Sequence, residues 1–299
     1  MKINYYHSLI FFNLFIFLSA FEYLRSNNLI IICLFLILSI GISHGSLDHL
    51  KGKRLLQVLG IKSQFIFYFG YIFVAFVTIF VWLLFPSFLL ILFLVIAAYH
   101  FGKEDSEFIN KKKNFEFIHF LKGSIIITAP LLFHKNETLD IFKSLNFGIL
   151  ENIFISNEIL YLFIFLSLIS NIIISRNQSL DSKSLLLMDF LSVLILNYFL
   201  NPVIAFTIYF CFLHSIRHSI SLILEINENL KEGFPIYIEK AIPLTTITAI
   251  AYLFSLFFLN NYYELDESVY RVIFIGLASL TFPHILLEYL IEKNEKQGT

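Results

Sequence analysis

Apolar residues fill long blocks of this chain, and polar residues are confined to the breaks between them. A block of about 20 apolar residues is what a helix needs to cross a hydrocarbon core of roughly 30 Å. Set against the polar breaks, the blocks predict helices at about 8–24, 29–44, 64–85, 87–101, 115–133, 158–175, 184–200, 202–224, 241–260 and 268–290. The second and fourth are short for a full crossing, and Pro86 and Pro202 make tight breaks. The expected fold is therefore an all-α polytopic transmembrane helical bundle of about eight to ten helices, with ten the best fit, forming a single integral membrane domain over residues 1–299. The stretch after Met1-Lys2 lacks an A-x-A-like cleavage site and is read as the first membrane helix.

Basic residues give this map an orientation, because loops rich in Lys and Arg stay in the cytoplasm. One alternating set of segments holds Lys2, Lys51, Lys53, Arg54, Lys62, Lys103, Lys111, Lys112, Lys113, Arg176, Lys183, Lys231, Lys240, Lys293 and Lys296. The opposite set holds only Arg25, Lys135 and Lys143. Both termini are expected to be cytoplasmic, and the location is a cell (inner) membrane. Composition agrees: 58% of the residues are hydrophobic and 14% charged, against about 25% charged in a soluble domain. The net charge of -1 suggests no nucleic-acid partner. Cys33 and Cys211 lie inside apolar blocks and form no disulfide framework.

Ionisable groups inside a membrane are costly, so the histidines are the first functional candidates. They fall in Gly41-Ile-Ser-His44-Gly-Ser-Leu-Asp48-His49, Tyr99-His100-Phe-Gly-Lys-Glu104-Asp105, Pro130-Leu-Leu-Phe-His134, His214-Ser-Ile-Arg-His218 and Pro283-His284. By the map, His44, His100, His214, His218 and His284 each lie about 12–16 residues from the outer end of their helix. At about 1.5 Å per residue this is one slab roughly 18–24 Å from the outer face, in the cytoplasmic half. His214 and His218, spaced i, i+4, share a helical face. Imidazoles meeting at one depth point to a metal site, though imidazole ligands alone suit iron, zinc, copper and nickel equally.

Asp48, one turn after His44, and Asp105 or Glu104, just after His100, are candidates to orient rings or offset the ion's charge. His134 falls at the opposite end of its helix and is excluded from the ligands. His49 is expected to face the loop, and His7 and His119 to sit at the interface. Arg217 is expected to snorkel or to pair with a carboxylate; Asp189, inside an apolar block, needs a polar contact across helices. With 37 Phe and 15 Tyr, aromatic walls would admit a substrate dissolved in the bilayer.

Taken in order, His-Gly-Ser-Leu-Asp-His, His-Phe-Gly, Ala-Pro-Leu-Leu-Phe-His, Tyr-Phe-Cys-Phe-Leu-His-Ser-Ile-Arg-His and Phe-Pro-His-Ile-Leu-Leu resemble the Brp/Blh family of β-carotene 15,15′-dioxygenases. These are membrane proteins that supply retinal to microbial rhodopsins. The resemblance spans roughly residues 29–290. It implies cleavage of β-carotene by O2 to two molecules of all-trans-retinal, at a non-haem Fe(2+) held by His44, His100, His214 and His218. Where the family carries Pro before its first histidine, this chain has Ser43, which alters backbone restraint but removes no ligand. For His284 the choice among ligand, pocket wall and holder of a water stays open.

Two other readings compete. A di-iron membrane desaturase or hydroxylase would use the H-x-x-x-x-H of His44 and His49 with the H-x-x-x-H of His214 and His218, but needs about eight histidines and an H-x-x-H-H element that is missing. A histidine-lined metal transporter would spread its polar groups along the membrane normal rather than bunch them at one level.

Overall fold

The computed structural model describes residues 2–21, 29–106, 108–109, 115–147 and 156–295, without the side chains of His44 and Glu295. Arg25, Lys111, Lys112, Lys113 and Lys296 of the charge map lie outside these residues. Every regular element described is helical. This follows from the apolar blocks: in lipid the backbone must satisfy its own hydrogen bonds, and a helix does so within one segment. Nine helices among the described residues are long and apolar enough to cross a membrane. With the N-terminal helix beside them, the expected all-α, polytopic class holds.

In chain order the α-helices are α1 (Lys2–Ser19), α2 (Ile30–Leu36), α3 (Asp48–Val58), α4 (Phe65–Leu84), α5 (Pro86–Glu104), α6 (Glu116–Gly123) and α7 (Ile125–Phe133). There follow α8 (Lys135–Ser144), α9 (Asn157–Ser175), α10 (Leu180–Phe199), α11 (Pro202–Ile208), α12 (Ile216–Ile226), α13 (Leu230–Leu259) and α14 (Leu265–Glu295). Ser179 and Asn201 start α10 and α11, their side chains accepting from the backbone N–H three residues on, with Pro202 in the first turn of α11.

Several expected boundaries move. The block expected at 29–44 continues as a π-helix (Ile37–Gly41) and a 3-10 helix (Ile42–Leu47) directly into α3, so most of the expected loop at 45–63 is helical. The helix expected from 241 begins at Leu230, because Asn229 caps it by accepting from the Lys231 N–H at 3.0 Å, and Pro235 and Pro243 lie inside it. Proline is tolerated there as it is in membrane helices generally. The segment after His134, expected to be loop, forms α8.

The chain groups into two compact units. Unit 1 comprises residues 1–41 and 90–218. Within it α1 lies along α10, and α7 packs on both α9 and α10. A Cβ at Gly102 would fall on the His119 carbonyl, and one at Gly123 on the Ala98 carbonyl, so α5 and α6 touch backbone to backbone. The π-helix at Ile37–Gly41 packs on a second one at Tyr209–Ser215, where the Ser215 hydroxyl donates to the Gly41 carbonyl at 3.2 Å. Unit 2 comprises residues 42–89 and 219–299. Here α14 runs along α4 and α3, and α13 packs on the 3-10 segment, where the Tyr237 hydroxyl donates to the Ser43 carbonyl at 3.2 Å.

Candidate metal centre

In unit 1, α5 carries His100 and Glu104 near its end, with Asp105 one residue beyond, while the π-helix Tyr209–Ser215 and α12 carry His214 and His218. All three imidazoles are buried. The His100 and His214 rings meet edge to face with centroids 5.5 Å apart. His214 Nδ1 donates to Asp105 at 3.1 Å, and His218 Nδ1 to Glu104 at 2.7 Å. Neighbouring carboxylates at the end of α5 thus hold the two histidines of another segment.

An imidazole whose Nδ1–H is fixed by a carboxylate presents the Nε2 lone pair as its ligating atom and is made more basic by the partner. Asp105 also accepts the Tyr209 hydroxyl at 2.6 Å. Burial by itself would raise the Asp105 carboxyl; the adjacent His214, helped by Lys122 and Arg217, holds it below the ordinary carboxylate range. Around His214 the walls are aromatic, with the Phe101 ring edge-on at 4.7 Å and the Phe210 ring stacked at 5.9 Å.

Behind this layer lies a buried ion pair. Arg217 donates to both oxygens of Asp189, at 2.7 and 3.1 Å, and to Ser8 Oγ at 2.7 Å. Its Nη1 stands 4.0 Å from Asp105. Of the two expectations for Arg217, pairing holds and snorkelling does not. Asp189 has the partner across helices that its position demanded.

Unit 2 holds a third carboxylate–imidazole pair. His284 Nδ1 lies 2.8 and 3.0 Å from the two oxygens of Asp48, which also accepts the Tyr71 hydroxyl at 2.9 Å. Glu288, one turn on, has an oxygen 3.6 Å from His284 Nε2 and pairs with Lys51 at 3.1 Å. Asp48 therefore orients His284. The His44 side chain lies outside the described residues.

The remaining histidines separate from this group. His134 sits at the junction of α7 and α8, paired with Glu137 at 2.6 Å. His49 bonds the Ser46 carbonyl at 2.9 Å. His119, expected at the interface, is buried, with its Nδ1 3.3 Å from the Ser106 hydroxyl. His7, likewise expected at the interface, has its Nε2 2.8 Å from the Phe212 carbonyl.

Comparison with known proteins agrees with the order of the motifs. The sequence profile of the beta-carotene 15,15'-dioxygenases matches residues 35–292. The chain belongs to this family. It is accordingly an oxygenase of an integral-membrane kind. A beta-carotene 15,15'-dioxygenase of uncultured marine bacterium 66A03 is 29% identical over 260 residues, which are 84% of this chain and 90% of that one. No solved structure matches.

Tyr209 and Tyr71, which donate to Asp105 and Asp48, are residues of the candidate centre that sequence reading missed. In an α-helix, residues five apart diverge by about 140° at roughly 100° per residue. In the π-helix the i→i+5 register brings Tyr209 and His214 onto one side, where both reach Asp105.

Proposed function

We propose that this chain cleaves the central 15,15′ double bond of β-carotene with O2, giving two molecules of all-trans-retinal. The observation that carries the reading is the family match over residues 35–292, supported by the carboxylate-held imidazoles of unit 1. The residues fit an iron(II) ion: His100, His214 and His218 are buried imidazole donors, and the buried Asp105 and half-buried Glu104 beside them offset the added charge. His100, His214 and His218 would hold the ion, and the family resemblance adds His44 as the fourth ligand. Bound there, iron supplies the activation of dioxygen.

The protein's own share is positioning and dryness. Glu104 and Asp105 fix the rings of His218 and His214, so the ligand directions are set before substrate arrives. Phe101, Phe206 and Phe210, packed around and behind His214, exclude water and offer a polyene only apolar contact. A hydrocarbon substrate gives no hydrogen bond to read, so which bond is cut is set by length and shape of the apolar path. Substrate and product both partition in the bilayer, and a microbial rhodopsin is the retinal acceptor that the resemblance names. In this reading the protein sits in the cell (inner) membrane with both termini cytoplasmic, as the distribution of basic residues supports.

The test is expression in cells that accumulate β-carotene, with extracted pigments separated by chromatography. Loss of β-carotene with appearance of retinal is expected, and purified protein should carry one iron per chain. Two irons per chain would support the desaturase reading instead. Metal uptake into liposomes without carotene cleavage would support a transporter.

A further inference from the structure

α1 lies outside residues 35–292, the span of the family match. Two adjacent residues on it nonetheless reach the segment that carries His214. His7 Nε2 donates to the Phe212 carbonyl at 2.8 Å, inside the π-helix. Ser8 Oγ, fully buried, accepts from Arg217 Nη2 at 2.7 Å, just beyond that helix. The two bonds grip the chain on either side of His214. Arg217 extends the grip to α10 through Asp189, and α1 itself lies along α10.

A π-helix needs such a grip. Its wide register is rare and is held by surroundings rather than by its own bonding. Relaxation of Tyr209–Ser215 to an ordinary α-helix would turn Tyr209 away from His214 and break their shared hold on Asp105. A side-chain donor on the Phe212 carbonyl competes with the backbone donor that an α register would bring there.

We infer that His7 and Ser8 are positioning residues, a brace from α1 that keeps Tyr209–Ser215 in π register and so fixes the direction of the His214 ring. The metal arm of its test rests on the proposed function; the exchange arm does not. In detergent-solubilised full-length protein stripped of metal, His7→Phe should keep its helical content. It should raise amide hydrogen exchange across residues 209–218 by about tenfold, with α10 unchanged. His7→Gln, which keeps an N–H donor, should restore protection. Ser8→Ala should raise exchange over the same residues.

With iron added, His7→Phe should weaken iron retention against a chelator roughly ten- to a hundredfold. It should also alter the electron paramagnetic resonance spectrum of the iron–nitric oxide adduct, which a change in folding stability alone would not do. Wild-type exchange over residues 209–218 in His7→Phe would overturn the inference, as would failure of His7→Gln to restore it. Wild-type protein that retains no iron would overturn the proposed function while leaving the exchange result to decide the brace.

Discussion

At the scale of single residues, the buried carboxylates decide what the histidines can do. Asp105→Asn keeps the shape of the side chain but removes the charge that, under the proposed function, would make His214 a better ligand. Iron affinity is expected to fall roughly ten- to a hundredfold, measured by competition with a chelator. His214→Ala and His218→Ala should abolish both iron binding and retinal formation while membrane insertion stays intact. His134→Ala should keep its iron, since that ring is engaged with Glu137 at the end of α7. Loss of iron there would contradict the exclusion made from the sequence.

Arg217 poses a different question, because it serves folding first. Arg217→Met would leave Asp189 charged, buried and stripped of a bidentate partner, at a cost of about 3–5 kcal/mol. Arg217→Met with Asp189→Leu should recover most of that stability, read by thermal melting in detergent. A double variant no more stable than the single one would show that the pair is not the source of the loss.

The helices show why sequence foretold some features and not others. The apolar blocks reveal α4 and α9 to within a residue, and α5 to within three, because a crossing length is a property of the chain alone. The pairing of Arg217 with Asp189 was also foreseeable, since two opposite charges in apolar blocks have few other partners. The departures from α register at Ile37–Gly41 and Tyr209–Ser215 were not, because no residue type marks a π-helix. Hence Tyr209 escaped notice, and Asp105 was assigned beside His100 in sequence rather than to His214 in space.

The same scale explains the glycines of α5 and α6. Gly102→Ala places a methyl on the His119 carbonyl, and the helices can respond only by separating. Overpacking of this kind costs about 1–3 kcal/mol. Gly102 lies two residues from both His100 and Glu104, so the variant should lose activity as well as melting temperature. A variant with reduced melting temperature but unaltered turnover would show that α5 moves as a rigid rod without disturbing the proposed ligand His100.

For the whole chain, the open question that charge can answer is direction across the membrane. The basic residues of the cytoplasmic set lie toward one end of their spans even where helices grew: Lys51, Lys53 and Arg54 now lie on α3, in the last part of the span Ile30–Val58, Lys231 lies in the first turn of α13, and Lys240 lies about three turns into that helix. The orientation argument depends on which end of a span carries the charge, not on where the loop begins. The two native cysteines are buried, which leaves a low background for labelling introduced thiols in intact cells. Tyr262→Cys, exposed between α13 and α14, should react with a membrane-impermeant maleimide added outside, as should Lys143→Cys on α8. Asn177→Cys, exposed between α9 and α10, should react only after the cells are opened. The reverse pattern would invert the molecule. A fluorescent-protein reporter on each terminus then separates the remaining cases: fluorescence from both is expected if α1 crosses, whereas an N-terminal reporter that stays dark beside a fluorescent C-terminal one would mean that α1 does not span.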